Sequence, residues 1–236
     1  MRNLFRFIIA VVILITKNIY TKLGKKDKYC PCCGWRGAHF LPYIDVGYVT
    51  FGAECPDCHS HPRHRGHRCF YEKYFNNLKG SLLYIAPERN VNFFKGMKNL
   101  NVKTSEYPEK LSADFNYNLC NIDSPGNVWD YIICHRVIEH LPDDRKGMNE
   151  LYRILKHGGI CILSVPIKTT LARTIEYGMP NPFETNHYYC YGNDFRDRIP
   201  EAFDVEVVEF NSILSPQEYK SMSLYNDSIF ICKKSD

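Results

Sequence analysis

Apolar positions along this chain come in short runs whose spacing alternates between strand-like and helix-like from about residue 69 to the end. Residues 69–78 read as a helix that stops before Gly80. Residues 81–86 (SLLYIA) form an apolar strand closed by Pro87, since proline cannot donate to a sheet ladder. Residues 100–104 are a second candidate strand, 117–122 a weaker third, and 128–134 a strongly apolar fourth. A helix is expected from Pro142, with proline at the first helical position and Asp143 and Asp144 in the first turn, where the helix dipole favours acids. Met148, Leu151 and Leu155 space its buried face, and Lys156, His157 and Gly158-Gly159 end it. Residues 160–165 make a fifth strand, and 203–210 and 228–233 two late ones. Strands alternating with helices imply an α/β fold with a mainly parallel sheet and right-handed crossovers, and the closing pair implies an antiparallel edge. Ligands of such sheets sit at the carboxyl ends of the strands, and the polar cluster that follows Cys134 marks one such end.

The first 68 residues break this rhythm. Residues 1–28 are an apolar then basic leader, 29–68 a segment rich in Cys, His, Gly and Pro, and 69–236 the alternating region. Residues 7–15 are uninterruptedly apolar, with Arg2 and Arg6 before them and Lys17 after. That run is shorter than the ~20 residues of a comfortable spanning helix, and no A-x-A-like cleavage site follows it. Extended to Tyr20 it makes an interfacial or marginally spanning helix. Lys17, Lys22, Lys25, Lys26 and Lys28 would attract anionic headgroups at about 1 kcal/mol each. The alternative is a helix buried against the protein's own body. The expectation is a membrane-associated protein whose catalytic part faces the cytoplasm. The net charge of +4 is local, concentrated in those lysines and in Arg63, Arg65 and Arg68. Without an interleaved aromatic platform, two short basic clusters make nucleic acid an unlikely partner.

The chain has eleven cysteines. Cys30-Pro31-Cys32-Cys33-Gly34 and Cys55-Pro56-Asp57-Cys58 are two knuckles of the form C-P-x-C, 21 residues apart. Paired turns that each offer two thiolates suit tetrahedral zinc, with Cys30, Cys33, Cys55 and Cys58 as ligands. Four protein ligands leave no open position, so the zinc is expected to be structural. Cys32, or one of His59, His61, His64 and His67, is a possible substitute ligand. Thiolate–metal sites favour a reducing compartment.

Three motifs in order carry a resemblance. Trp129-Asp130-Tyr131-Ile132-Ile133-Cys134-His135 is similar to an "F-D-hydrophobic" fourth strand, and Val137-Ile138-Glu139-His140-Leu141 to a "V-L-E-H-hydrophobic" turn. Residues 150–159, ELYRILKHGG, are similar to an "E-hydrophobic-x-R-hydrophobic-L-K-P-G-G" helix end, with His157 in place of Pro. Together they resemble the class I S-adenosylmethionine-dependent methyltransferases, in particular the small type-11-like group, over about residues 80–210. Cysteine knuckles ahead of an A-P-E sequence resemble a subgroup of that family bearing a zinc ribbon. The resemblance implies a Rossmann-like, mostly parallel seven-stranded sheet with an antiparallel edge, preceded by a small zinc-ribbon module and an N-terminal apolar helix.

It also implies S-adenosylmethionine as cofactor and a set of site residues. The family's first strand is followed by an acid and a G-x-G-x-G turn; here residues 84–90 contain no glycine, and Ala86, Pro87 and Glu88 take that place. Glu106 would meet the ribose hydroxyls, and Asn121, Ile122 and Asp123 would lie beside the adenine. Cys134 and His135 would floor the pocket. His140 is a candidate base, or a residue orienting its turn, and His187 and Tyr191 are candidate acceptor-site residues. The acceptor is a small molecule or a glycan, with membrane attachment favouring a glycan or lipid-linked substrate. The missing glycines leave a second reading open: a non-catalytic zinc-ribbon adaptor on a degenerate methyltransferase fold.

Overall fold

The computed structural model describes residues 2–45, 48–107 and 112–235. Met1 of the leader, residues 46–47 of the cysteine-rich segment, and residues 108–111 and Asp236 of the alternating region lie outside the described residues. The chain packs as two compact units, residues 1–76 with 210–226, and residues 77–209 with 227–236. The leader and the cysteine-rich segment share the first unit.

The first unit begins with helices α1 (Arg2–Ile15) and α2 (Lys17–Tyr20), followed by two small antiparallel pairs. These are β1 (Lys28–Tyr29) with β2 (Arg36–Gly37), and β3 (Leu41–Asp45) with β4 (Tyr48–Glu54). Helix α1 buries Ala10 and is tied to β4 by the Arg6 guanidinium, which donates to Val49 O at 2.9 Å. Its Leu4, Phe5, Ile8, Val12 and Ile15 are exposed. No helix among the described residues is long and apolar enough to cross a membrane. The 14 residues of α1 reach about 21 Å, against a hydrocarbon core of about 30 Å.

The helix expected over 69–78 instead runs from Pro62 to Tyr74 as α3. Proline sits in its first turn, and the His61 backbone N–H donates to His64 Nδ1 at 2.9 Å, so the His/Arg tract forms the start of the helix. Arg65 is fully buried at the centre of this unit. It donates to Ser60 O (2.6 Å), Ala53 O (3.0 Å) and Met222 O (2.8 Å), and its guanidinium lies 3.9 Å over the Phe40 ring.

The second unit is built on a six-stranded sheet. In chain order its strands are β5 (Gly80–Ile85), β6 (Leu100–Ser105), β7 (Trp129–His135), β8 (Leu155–Ser164), β11 (Phe203–Glu209) and β12 (Ser228–Lys234). Their spatial order is β11-β12-β8-β7-β5-β6. The first four strands are parallel, and β12 runs antiparallel to both β8 and β11, giving the expected antiparallel edge. Helices α4 (Val91–Lys95) and α5 (Asp144–Ile154) follow β5 and β7. A hairpin, β9 (Ile175–Asn181) with β10 (His187–Cys190), follows β8.

The sheet has six strands and not seven because residues 117–122 form turns. The Asn118 side chain accepts from the Cys120 N–H at 3.0 Å, and Asn121 N donates to Asn118 O at 2.9 Å. Asparagine offers the backbone a local alternative to a ladder, and it prevails here. Helix α5 also differs from expectation at both ends. Asp143 is its N-cap, accepting from Lys146 N at 2.9 Å, so Pro142 stands before the cap. At the other end Leu155 already pairs with Trp129, and the Gly158-Gly159 pair lies inside β8, where a register shift separates Leu155 from Ile160. Gly158 has a φ of +69°, a conformation glycine adopts without strain. The glycines thus form a strand irregularity and not a helix stop.

Candidate active site and metal centre

The two knuckles are built alike. Gly34 N donates to Cys30 O (2.8 Å) and Cys30 N to Trp35 O (2.9 Å); His59 N donates to Cys55 O (3.0 Å) and Cys55 N to Ser60 O (2.9 Å). The residue after each second cysteine is left-handed, Gly34 at +80° and His59 at +58°. These turns bring Cys30, Cys33, Cys55 and Cys58 together, their sulfurs all within 4.8 Å of one another. The Cys30–Cys58 and Cys33–Cys55 Sγ distances are 3.7 and 3.8 Å. A zinc ion with four thiolates at about 2.3 Å needs sulfurs about 3.8 Å apart, so the set fits the metal. Cys32 lies outside the set, its Sγ 3.5 Å from His64 O. His64 is taken up in the start of α3, and His67 packs against the Phe210 ring at 5.6 Å.

In the second unit a cavity of about 270 Å³ opens at the carboxyl ends of β5 and β6. Its walls come from three chain segments, Ile85-Ala86, 105–107 and 117–119, and from the turn that follows β7, through Val137 and 140–142. Most of its wall is apolar, with Ser105, Glu106, Asn118 and His140 as polar points. That is the usual make-up of a small-molecule site, near the low end of the size range. Ala86 holds the turn after β5 in a left-handed conformation at φ +44°, donating its N–H to Ser105 O at 2.8 Å. A left-handed non-glycine residue costs about 1–2 kcal/mol, so the chain adopts here, under strain, the conformation glycine takes freely.

The turn after β7 and the β9–β10 hairpin are locked to each other. Asp144, at the start of α5, accepts from Arg198 Nε (2.7 Å) and NH2 (2.9 Å) and from the Tyr191 hydroxyl (3.1 Å). Arg198 also donates to Glu176 at 2.7 Å, and Tyr189 donates to Pro142 O at 3.1 Å. The result places His187 of β10 beside His140, ring centroids 4.6 Å apart and edge to face. Burial, then the neighbouring His140 and Arg136, push the His187 pKa down to about 4, and desolvation also lowers that of His140. Both imidazoles are therefore neutral at neutral pH.

Residues 90–163 match the Methyltransferase domain family. A stretch of 68 residues is 32% identical to a Mycolicibacterium smegmatis protein described as "Probable S-adenosylmethionine-dependent methyltransferase"; it covers 29% of this chain and 26% of that protein. Over these residues the chain is similar to S-adenosylmethionine-dependent methyltransferases. Solved structures agree at the level of fold. A Haemonchus contortus phosphoethanolamine N-methyltransferase 2 in complex with S-adenosyl-L-methionine superposes with a TM-score of 0.50 at 16% identity, over 73% of this chain and 53% of that one. A chain of the complex between the Haloferax volcanii Trm112 methyltransferase activator and its methyltransferase gives 0.51 at 10% identity, over 74% and 91%. The match to the curated relative thus spans about a quarter of that protein's length.

In the second unit, Ala86, Glu106 and His140 line the cavity. Pro87 and Glu88 continue the Ala86 turn without being among the lining residues. Asn121 and Asp123 are exposed, while Ile122 is in the core, its N–H donated to Glu150 at 2.8 Å. The side chains facing the cavity from this segment are Tyr117, Asn118 and Leu119, three or four residues earlier, because the segment turns instead of running straight as a strand. Cys134 and His135 are inside the sheet: Cys134 belongs to the core cluster, its thiol pKa raised by burial, and His135 Nδ1 shares a 2.7 Å hydrogen bond with Ser164. Tyr191 is fully buried with its hydroxyl committed to Asp144, so it supports the hairpin instead of touching an acceptor. The Asp144–Arg198 pair was beyond sequence reasoning, since 54 residues separate its members.

Proposed function

We propose that this chain is an S-adenosylmethionine-dependent methyltransferase that acts on a hydroxyl of a glycan or lipid-linked acceptor. The observation that carries the reading is the cavity at the carboxyl ends of β5 and β6, bounded by the strained Ala86 turn, Glu106 and His140. Its donor and acceptor set suits the cofactor. The two oxygens of Glu106 match the vicinal hydroxyls of a ribose, and Tyr117 and Asn118 offer a ring face and a polar edge to a base. The cofactor supplies the methyl group as a sulfonium. The protein's contribution is alignment, which accounts for much of the rate in an in-line displacement. His140 at the cavity rim and His187 beside it border the acceptor's position.

The membrane side of the proposal is supported by α1. Its exposed Leu4, Phe5, Ile8, Val12 and Ile15, followed by Lys17, Lys22, Lys25 and Lys26, are the pattern of a helix lying in an anionic interface. A catalytic part in the cytoplasm agrees with a four-cysteine cluster suited to a metal thiolate site.

Calorimetry of the zinc-loaded full chain with S-adenosylhomocysteine tests the first part. Binding is expected, and Ala86→Leu should abolish it by filling the mouth of the cavity. No heat from well-folded wild-type protein would leave the adaptor reading in its place. Co-flotation with vesicles containing phosphatidylserine, lost on deletion of residues 1–20, tests the second; equal flotation of the truncated protein refutes it.

A further inference from the structure

Beside the cavity, three donor side chains converge that the methyl-transfer reading does not explain. Glu139, His140 and His187 each bring one ligand atom to within 4.8 Å of the others. Glu139 is 1% exposed, half-buried His187 comes from the hairpin, and His140 is at the rim. The imidazoles are held as ligating histidines are. His140 makes a hydrogen bond to the Asn186 backbone, and His187 Nε2 lies 3.1 Å from the Thr185 hydroxyl. Outer contacts of this kind fix ring orientation around a metal. Thr185 and Asn186 are both left-handed, at +53° and +62°, so the loop that presents His187 is conformationally costly.

We infer that Glu139, His140 and His187 form a second metal site, taking a divalent cation with imidazole affinity, on the acceptor side of the cavity. Two nitrogens and one carboxylate leave coordination positions open, as in catalytic and not structural centres. Because His140 also lines the cavity, a ligand completing the ion's coordination would lie at the cavity's rim. The role deepens the methyltransferase reading and rests on it; the binding of the ion does not. An acceptor hydroxyl bound to the ion would lose its proton to water more readily, as metal-bound water does. The oxygen then forms the new O–CH3 bond as the S–CH3 bond breaks. That bond's electron pair stays on sulfur, leaving a neutral thioether. His140 and His187 act here as ligands, in place of the base and acceptor contacts expected from the sequence.

Cobalt(II) alone is the probe, added to full-length protein whose cysteine site is already filled with zinc. One equivalent of cobalt should bind without releasing zinc and without a thiolate charge-transfer band. Glu139→Gln and His187→Ala should each weaken uptake by at least about tenfold, and Thr185→Ala by about tenfold through His187. Zinc content and the thermal transition report folding, and the half-exposed His187 remains informative should Glu139→Gln fail to fold. No uptake by the wild type, uptake only with thiolate bands, or equal uptake by folded His187→Ala overturns the site. S-adenosylhomocysteine binding measured on the same samples separates the two ideas. Cofactor binding without cobalt uptake removes the metal site alone, and cobalt uptake without cofactor binding removes the methyltransferase reading and the ion's role in it, while the site stands.

Discussion

Asp144 and Arg198 provide the sharpest test of how the hairpin is held over the turn after β7. Asp144 is 1% exposed and Arg198 8%, and they meet through two charge-assisted hydrogen bonds of 2.7 and 2.9 Å. Asp144→Ala leaves the guanidinium buried beside Tyr189, with Glu176, itself largely exposed, as the remaining carboxylate that it binds here. It also removes the acceptor of the Tyr191 hydroxyl. Breaking a buried pair from one side costs about 3–5 kcal/mol, because the surviving charge stays desolvated. Arg198→Met should cost a similar amount for the same reason. The double variant Asp144→Leu/Arg198→Met buries no unpaired charge, so it should cost less than the sum of the singles by at least about 2 kcal/mol. Urea unfolding in a Trp35→Phe background reads this through Trp129, which lies in the core cluster of the second unit. Single variants within about 1 kcal/mol of the parent, or strict additivity in the double, would show that the pair does not anchor the hairpin.

Three further outcomes follow from particular contacts. A Cβ at Gly147 would sit 2.3 Å from Leu141 Cδ1, so Gly147→Ala should push Leu141 toward the cavity it lines and weaken S-adenosylhomocysteine binding, while helix propensity favours the alanine by about 1 kcal/mol; unchanged affinity by calorimetry argues against the placement of that turn. Chelation of zinc should change the emission of Trp35, which packs on Phe40 at 5.1 Å within the cysteine cluster's core, since structural zinc supplies about 10–16 kcal/mol of folding free energy in small zinc modules; stoichiometric release with no spectral change refutes a structural role. The paired Arg153 side chain, then the Ile122 N–H, hold the Glu150 carboxyl below its ordinary pKa, so its contribution to stability is present above the unfolded value near 4.5 and is lost as pH falls through the depressed folded value. Glu150→Gln should flatten that part of the acid unfolding profile, and an unchanged slope would remove Glu150 from its cause.

Much of the α/β order was legible because it rests on local pattern. Apolar runs of four to eight residues marked β5, β6, β7, β11, β12 and the second half of β8 to within a residue or two, and the paired knuckles pointed to the four cysteines that converge. What misled were local signals that tertiary pairing overrode. Gly158-Gly159 looks like a helix stop, yet Leu155 gains more by pairing with Trp129 in the sheet, so the glycines were absorbed into a strand irregularity. Residues 117–122 have strand-like composition, but the Asn118 side chain captured the Cys120 N–H, and the resulting turn lines the cavity with Tyr117, Asn118 and Leu119 in place of Asn121 and Asp123.

By itself, then, the sequence determined most of the sheet's strands, their mainly parallel direction and the cysteine set, because each depends on residues close in the chain or on a spacing repeated along it. The tertiary structure decided which polar side chains share a site. Glu139 and His140 are neighbours, but His187 joins them from 47 residues away through a hairpin that Arg198 pins to Asp144 across another 54. Contacts of that kind leave no periodicity in the chain. They arise when burial of two charges in one place is cheaper than burial of either alone, and that balance exists only after the sheet has formed.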